Sequence, residues 1–243
     1  MKGIILAGGT GSRLYPLTRM VNKHLLPVGR YPMIIYGIDR LRQAGITDIL
    51  IVMGKQSAGL FIDLLGSGKE WEVHLTYRIQ EEAGGIAEAL ELARSFVDEK
   101  ERFVVLLGDN LFVDNLKPFV DSYMRQSDGT AKILLKHVND ARRYGVAVFD
   151  PNHPELISRI EEKPSVPLSS YCVTGIYMYD TSVFDIISQI APSARGELEI
   201  TDVNNVYAHR GHLEYDMLKY WWSDAGTFES LQEAGRKLKG RQP

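Results

Sequence analysis

An α/β fold, with a mostly parallel central sheet covered by helices on both faces, is predicted by three features of this 243-residue sequence. Strand-like apolar runs alternate with helix-period patterns through the first half. Those runs are nearly unbroken in apolar residues, as strands buried on both faces must be. The second half is richer in strands, which predicts a β-rich inserted portion forming a second wall to a cleft.

The elements follow in order. Residues 3–7 read as a buried strand, followed by a long glycine-rich and basic loop. Residues 32–44 have helical spacing through Ile34, Ile38 and Leu41 and stop at Gly45. Residues 48–53 form a strand, 57–65 a short helix and 73–79 another strand. A helix over 85–97 puts Ile86, Leu90, Ala93 and Val97 on one face. Residues 103–107 are a fully apolar strand ending in Gly108-Asp109-Asn110. In the second half, strands are expected over 131–138, 145–149, 157–161 and 172–179, with Lys163-Pro164 closing the third. Helices return at 182–190 and 199–209. A last strand over 217–222 precedes a helix over 228–238. Neither a low-complexity linker nor an internal repeat divides the chain, so it reads as one Rossmann-like domain.

Composition narrows the function. Hydrophobic residues make up 44% and charged residues 24%, ordinary values for a globular protein. Cys172 is the sole cysteine, which excludes an internal disulfide and a Cys-x-x-Cys metal clip. The apolar run at the start is too short for a signal peptide, and no stretch approaches the roughly 18 apolar residues of a membrane span. The expectation is a cytoplasmic enzyme with no membrane partner. A net charge of −3 argues against nucleic acid as a partner. Yet Lys2, Arg13, Arg19, Lys23 and Arg30 all precede the first acidic residue, Asp39. Such a cationic zone suits a small polyanion such as a triphosphate.

The loop Leu6-Ala7-Gly8-Gly9-Thr10-Gly11-Ser12-Arg13-Leu14 follows the first strand directly. Its glycines let the backbone approach a ligand and aim N–H groups at anionic oxygens. It fails the dinucleotide fingerprint, since the sixth position counted from Gly9 is Leu14, and it fails the P-loop, since Ser12-Arg13 follows Gly11. Arg13 and Lys23 are cations of the kind that would stabilise charge building on phosphates if a nucleotidyl group were transferred here. Taken singly, each also reads as a solvated surface charge.

Asp109 and Asp224 each lie just beyond a predicted strand. In open α/β sheets the ligand crevice lies beyond the carboxyl ends of the strands. If the two strands are near neighbours, the aspartates form a magnesium pair, because Mg2+ takes one or two carboxylates plus substrate phosphates. Taken singly, each reads as a turn or cap residue. No Ser-His-Asp or Cys-His signature supplies a protein nucleophile, which fits transfer to an acceptor that is already an anion at neutral pH, as a phosphate monoester is. His24, His74, His137, His153, His209 and His212 form no metal-ligand pattern and read as structural or surface residues.

Together these residues resemble the sugar nucleotidyltransferase family over nearly the whole chain, from Lys2 to about Ala234. The motifs that carry the likeness are Gly3-Ile-Ile-Leu-Ala-Gly-Gly-Thr-Gly-Ser-Arg13, Lys23-His-Leu-Leu-Pro27-Val, Pro32-Met-Ile, Gly108-Asp-Asn110, Tyr144-Gly-Val, Glu161-Glu-Lys-Pro164, Val173-Thr-Gly175 and Arg195-Gly-Glu-Leu-Glu-Ile-Thr-Asp202. Within the family the likeness implies transfer of a thymidylyl group from dTTP to glucose-1-phosphate with Mg2+. It implies Arg13, Lys23 and Asp109 as catalytic groups. Gly8, Gly9, Gly11, Arg13 and Lys23 would hold the triphosphate. Gln80 would bond the base edge and Gly85 would let the backbone sit close to the base. Asp109 and Asp224 would hold the metal. Tyr144, Gly145, Glu162 and Val173 would meet the sugar, with Lys163 and Arg195 on its phosphate. One nucleotidyltransferase domain is implied, residues 1–110 mainly for nucleotide and 111–243 mainly for sugar phosphate. A homo-oligomer, a tetramer by resemblance, is implied as well.

The sequence departs from the family in places. Ser12 stands where Thr is common. Glu88 ends a stretch that often reads Gly-Leu-Ala-Gln, and Ala83 replaces a frequent Pro. The last two bear on base preference. Longer relatives continue past Leu238 into a helical segment linked to an allosteric site, and no such segment is expected here. Two alternatives stay open at this level: the same reaction with UTP, and a non-catalytic nucleotide-sugar sensor.

Overall fold

The structure, a computed structural model of the chain, describes residues 1–9 and 11–240. The first half contains β1 (Lys2–Ala7), a small ladder of β2 (Pro27–Val28) and β3 (Tyr31–Pro32), α1 (Met33–Gln43), β4 (Asp48–Gly54), α2 (Ala58–Leu65), β5 (His74–Gln80), α3 (Ile86–Glu91) and β6 (Arg102–Leu107). The second half contains β7 (Asn110–Phe112), α4 (Lys117–Tyr123), β8 (Ala131–His137), β9 (Gly145–Phe149), β10 (Ile157–Glu162), β11 (Tyr171–Asp180), α5 (Ser182–Ile187), α6 (Ile200–His209), β12 (Leu213–Met217), β13 (Trp222–Asp224) and α7 (Phe228–Lys237).

One nine-stranded sheet organises the chain. Its parallel block runs β6-β1-β4-β5, with Ile5 opposite Ile51 on one side and Leu106 on the other. The β-rich portion joins through β11, antiparallel to β6 along Ile176–Asp180 and to β8 along its length. β9 and β10 add an antiparallel pair, and β12 runs parallel to β8.

Alternate residues of the central strands enter different cores, which is why the sequence reads as continuous apolar runs. Ile4 and Leu6 of β1, with Phe103 and Val105 of β6, pack with α3, α5 and α6 through Leu90, Phe184, Val203 and Tyr207. Ile5 and Ala7, with Val104 and Leu106, pack with α1, α2 and α4 through Ile34, Ile38, Phe61 and Val120. A third cluster seats Ala234 of α7 against Val28 and Met33. Among the described residues no helix is long and apolar enough to cross a membrane.

Several expected boundaries move. The helix expected over 85–97 is regular only to Glu91 and continues in turns. The strand expected over 217–222 is two strands, β12 ending at Met217 and β13 starting at Trp222. Between them, among the described residues, only isolated backbone bonds remain, from Leu218 N–H to the Leu135 carbonyl and from Val113 N–H to the Trp221 carbonyl, and side chains supply the rest. The Asp114 carboxylate accepts the Lys219 and Tyr220 N–H groups at 2.8 and 3.0 Å, and Lys136 Nζ donates to the Leu218 carbonyl at 3.2 Å. α4 has no counterpart in the sequence reading. Its Pro118 stands in the first turn, where a missing N–H costs nothing.

Candidate active site

From β1 the chain winds outward through β4 and β5, then crosses back to form β6 on the other flank of β1. The carboxyl ends of β1 and β6 are thus a switch point, where an α/β sheet leaves a crevice. The crevice is a cleft of about 330 Å³ lined by both halves of the chain. Of the expected site residues, Gly8, Gly9, Arg13, Lys23, Gln80, Gly85, Asp109, Tyr144, Gly145, Glu162, Lys163, Val173 and Asp224 line it. Gly11 and Arg195 do not.

The loop after β1 is built by local constraints. Gly11 adopts φ +61, and its carbonyl accepts from Leu14 N–H at 2.9 Å and Thr18 Oγ1 at 2.8 Å. A side chain there would strike Thr18, so Gly11 shapes the loop from behind the cleft wall. The turn Ser12–Leu14 projects Arg13 across to Gly226, where a Cβ would lie 2.9 Å from the guanidinium. Lys23 starts the turn Lys23–Leu25, which Asn22 caps by accepting the His24 N–H at 2.9 Å. Asn22 also donates to the Ala7 carbonyl at 3.2 Å, tying the turn to the end of β1. His24 is buried, and burial followed by the Lys23 charge pushes its ring down to about 3, so it stays neutral.

Asp109 follows β6 directly and is only 8% exposed. Lys23 Nζ donates to its Oδ2 at 2.5 Å and Asn110 Nδ2 to its Oδ1 at 3.0 Å. Burial pushes this carboxyl up, but the Lys23 charge and these hydrogen bonds win and hold it well below the usual carboxylate range. Asp224 ends β13, which pairs antiparallel with β7 so that Asp224 faces Asn110 across the ladder. The expectation of neighbouring strand ends holds, although by this short ladder and not within the main sheet. Tyr144 Oη donates to Asp224 Oδ1 at 3.1 Å, and the Arg143 guanidinium is 3.9 Å from Oδ2. Burial and the Asp109 charge nevertheless push the Asp224 carboxyl up, against Arg143 and Arg13.

That repulsion tests whether a divalent cation suits the site. Two hard carboxylates with unused acceptor directions leave residual negative charge that an added cation would relieve. Among the described residues no three His, Cys, Asp or Glu groups gather as a metal site. Asp109 and Asp224 are a pair of hard oxygen donors, which fits Mg2+ completed by phosphates and water.

Another group of cleft residues lies on β9, β10 and α6. Glu162 accepts from Thr201 Oγ1 at 2.8 Å and from Lys163 Nζ at 2.6 Å. Gly145 faces it, and a Cβ there would lie 3.4 Å from Glu162 Oε2. Lys163 takes φ +44, and its N–H bonds the Tyr144 carbonyl at 3.0 Å, which turns the chain back toward the cleft. Arg195 stays behind this group, bonded to Glu199 at 2.8 Å and 3.9 Å from Glu162.

Gln80, at the end of β5, donates through Nε2 to Glu88 Oε2 at 3.0 Å and to the Gly85 carbonyl at 3.4 Å. Gly85 has φ +109, and a Cβ there would come within 2.4 Å of the Leu198 carbonyl oxygen. The immediate demand for glycine at 85 is therefore this backbone crossing.

The sequence reading missed several lining residues, among them Arg143, Thr201, Asn204 and Trp222. Thr201 stands inside a quoted motif, and Arg143 immediately precedes one. Asn110 was quoted without a role, yet its Oδ1 accepts from Gly175 N–H at 2.9 Å and Trp222 Nε1 at 2.7 Å. It joins β7, β11 and β13 behind the two aspartates.

Comparison with known proteins places this geometry in context. The nucleotidyl transferase family matches residues 2–241. A glucose-1-phosphate thymidylyltransferase of Xanthomonas campestris pv. campestris (strain B100) is 45% identical, covering 98% of this chain and 80% of its own length. One of Neisseria gonorrhoeae is 42% identical over 96% of this chain and 81% of its own. A solved structure from Bacillus anthracis, provisionally named a glucose-1-phosphate thymidylyltransferase and determined with sucrose, superposes with a TM-score of 0.94 at 53% identity. It covers 100% of this chain and 97% of that one. A UDP-glucose pyrophosphorylase complexed with UDP-glucose shares the fold, with a TM-score of 0.86 at 24% identity over 97% of both chains.

Proposed function

We propose a reaction for this chain, which belongs to the nucleotidyl transferase family: it transfers a thymidylyl group from dTTP to glucose-1-phosphate, giving dTDP-glucose and pyrophosphate. The observation that carries the reading is the convergence in one cleft of Arg13, Lys23, Asp109 and Asp224 with Glu162 and Lys163. The first set suits a chain of phosphates. The second suits a ligand with hydroxyls at one end and phosphate at the other.

No protein nucleophile is needed, because the sugar phosphate is itself an anion at neutral pH. One of its oxygens bonds to the α-phosphorus as the bond to the β-phosphate oxygen breaks, and pyrophosphate leaves with the electron pair. Arg13 binds two phosphate oxygens at once, and Lys23 adds a point charge where negative charge builds. Asp109, kept ionised by Lys23, serves as a ligand and not as a proton donor. Asp109 and Asp224 are the residues that would hold Mg2+, which when bound neutralises charge on the phosphates. Glu162 accepts from sugar hydroxyls, while Lys163 neutralises the sugar's phosphate and Arg195, outside the cleft lining, adds its charge from behind Glu162. Gln80 meets the base beside Gly8 and Gly85. In this reading residues 1–110 mainly bind nucleotide and 111–243 mainly sugar phosphate, in a cytoplasmic homo-oligomer, a tetramer by family likeness, which sedimentation velocity would check.

The test is pyrophosphate release across a panel of triphosphates and sugar phosphates. Release is expected with dTTP and glucose-1-phosphate and only when both are present. Efficient use of UTP with negligible use of dTTP would overturn the thymidylyl assignment, and silence with every pair would overturn the reaction class.

A further inference from the structure

Gln80 is only 6% exposed, and both hydrogens of its amide are engaged. Nε2 donates to Glu88 Oε2 at 3.0 Å and to the Gly85 carbonyl at 3.4 Å. Both partners are oxygens, and an ionised carboxylate has no hydrogen to return. Turning the amide over would set its oxygen against theirs, so a single orientation is satisfied. In that orientation Oε1 points toward Gly8, where a Cβ would lie 2.5 Å away. Gly8 and Gln80 both line the cleft, and among the described residues no donor reaches Oε1.

Glu88 is seated with equal care. It lies in the first turn of α3, and its Oε2 fills the space left by Gly84, within 1.9 Å of where a Cβ would stand. The two glycines thus make room for the two ends of one arrangement, Gly84 for the carboxylate and Gly8 for the amide oxygen. A glutamine at 88 would carry both donors and acceptors, so it could donate to a turned Gln80 and leave only the longer contact with the Gly85 carbonyl to oppose the turn.

We propose that Glu88 is the positioning residue for base selection. By taking one N–H of Gln80, while the Gly85 carbonyl takes the other, it leaves that amide a pure acceptor toward the cleft. The acceptor takes the ring N–H that thymine and uracil carry between their two carbonyls. It faces a lone pair at the equivalent ring nitrogen of cytosine and rejects it. The inference rests on the base lying at Gln80 in the reaction given above, and it leaves the choice between thymine and uracil to other contacts.

Pyrophosphate release with dTTP and with dCTP, at saturating glucose-1-phosphate, tests it in the wild type, Glu88→Gln, Gln80→Ala and the double variant. Glu88→Gln is expected to raise the KM for dTTP and to narrow the dTTP/dCTP ratio of kcat/KM, each by roughly tenfold. The KM for glucose-1-phosphate stays unchanged. On the Gln80→Ala background the same substitution is expected to change neither quantity, because its effect passes through Gln80. An unchanged ratio in Glu88→Gln overturns the inference, as does an effect that persists in full without Gln80. A wild-type chain that releases no pyrophosphate from dTTP overturns the reaction itself and this inference with it.

Discussion

Asp109 and Glu162 are both acidic, line the same cleft and contact a lysine, yet their settings differ. The Asp109 side chain is 12% exposed and its partner Lys23 is 16% exposed, whereas Glu162 and Lys163 are 32% and 48% exposed. Asp109 is fixed from behind by Asn110, itself anchored on β11 and β13. Glu162 is steadied by one hydroxyl, Thr201, and shares its cations with solvent. A buried pair shaped before substrate arrives can stabilise charge without reorganising, while an exposed pair exchanges partners cheaply as substrate comes and goes. One region is built for the reaction and the other for recognition.

That contrast can be broken at its strongest point first. Asp109→Asn is expected to lower turnover by about 10²–10³-fold with an unchanged far-UV circular dichroism spectrum. A rate near wild type would remove Asp109 from the chemistry. Next comes Lys23→Gln, expected to cost roughly 10²-fold in kcat/KM for dTTP. It also sets a pH test. Asp109 is held below its unfolded value, so its ionised form and the stability it lends persist above that value and fade only as pH falls through the folded one. Without Lys23, the largest opposition to burial is gone and the Asn110 hydrogen bond remains, so the carboxyl rises and the acid limb of the kcat/KM profile should move to higher pH. A profile that stays in place would contradict the pairing.

Glu162→Gln sharpens the recognition side. It should raise the KM for glucose-1-phosphate by roughly tenfold while the KM for dTTP stays constant. Equal effects on both substrates would merge the two regions. The smallest effect belongs to Asp224, whose carboxyl is pushed up by burial and Asp109. Ionising a group with a raised folded value costs stability as pH rises through that value. Asp224→Asn should therefore melt about 2–4 °C higher at pH 7 while losing turnover, with the gap closing in acid. A lower melting temperature at pH 7 would show that Asp224 is not under repulsion.

The parallel block was legible in the sequence because Ile4, Ile5, Phe103 and Val104 face cores on both sides, which imposes unbroken apolar runs. The segment around 217–222 was not, because its order comes from Asp114 and Lys136, distant side chains that leave no local periodicity. The helix Lys117–Tyr123 was not assigned from sequence, although its Pro118 is placed in the first turn as a helix start allows. In the site, glycines and charges beside strand ends were legible through their chemistry. Arg143 and Asn204 were not, since a lone arginine or asparagine carries no signal until packing aims it. Gly85 shows the reverse case: its glycine was legible, but the Leu198 backbone that requires it was not.

The central claim is that the loop cations and a carboxylate-held divalent ion grip the same chain of phosphates. Calorimetric titration of dTTP at several free magnesium concentrations tests it most directly. Wild-type affinity should climb with magnesium, Asp224→Ala should lose that slope, and Arg13→Ala should bind more weakly throughout while keeping it. An Asp224→Ala variant that retains the wild-type slope would contradict the account.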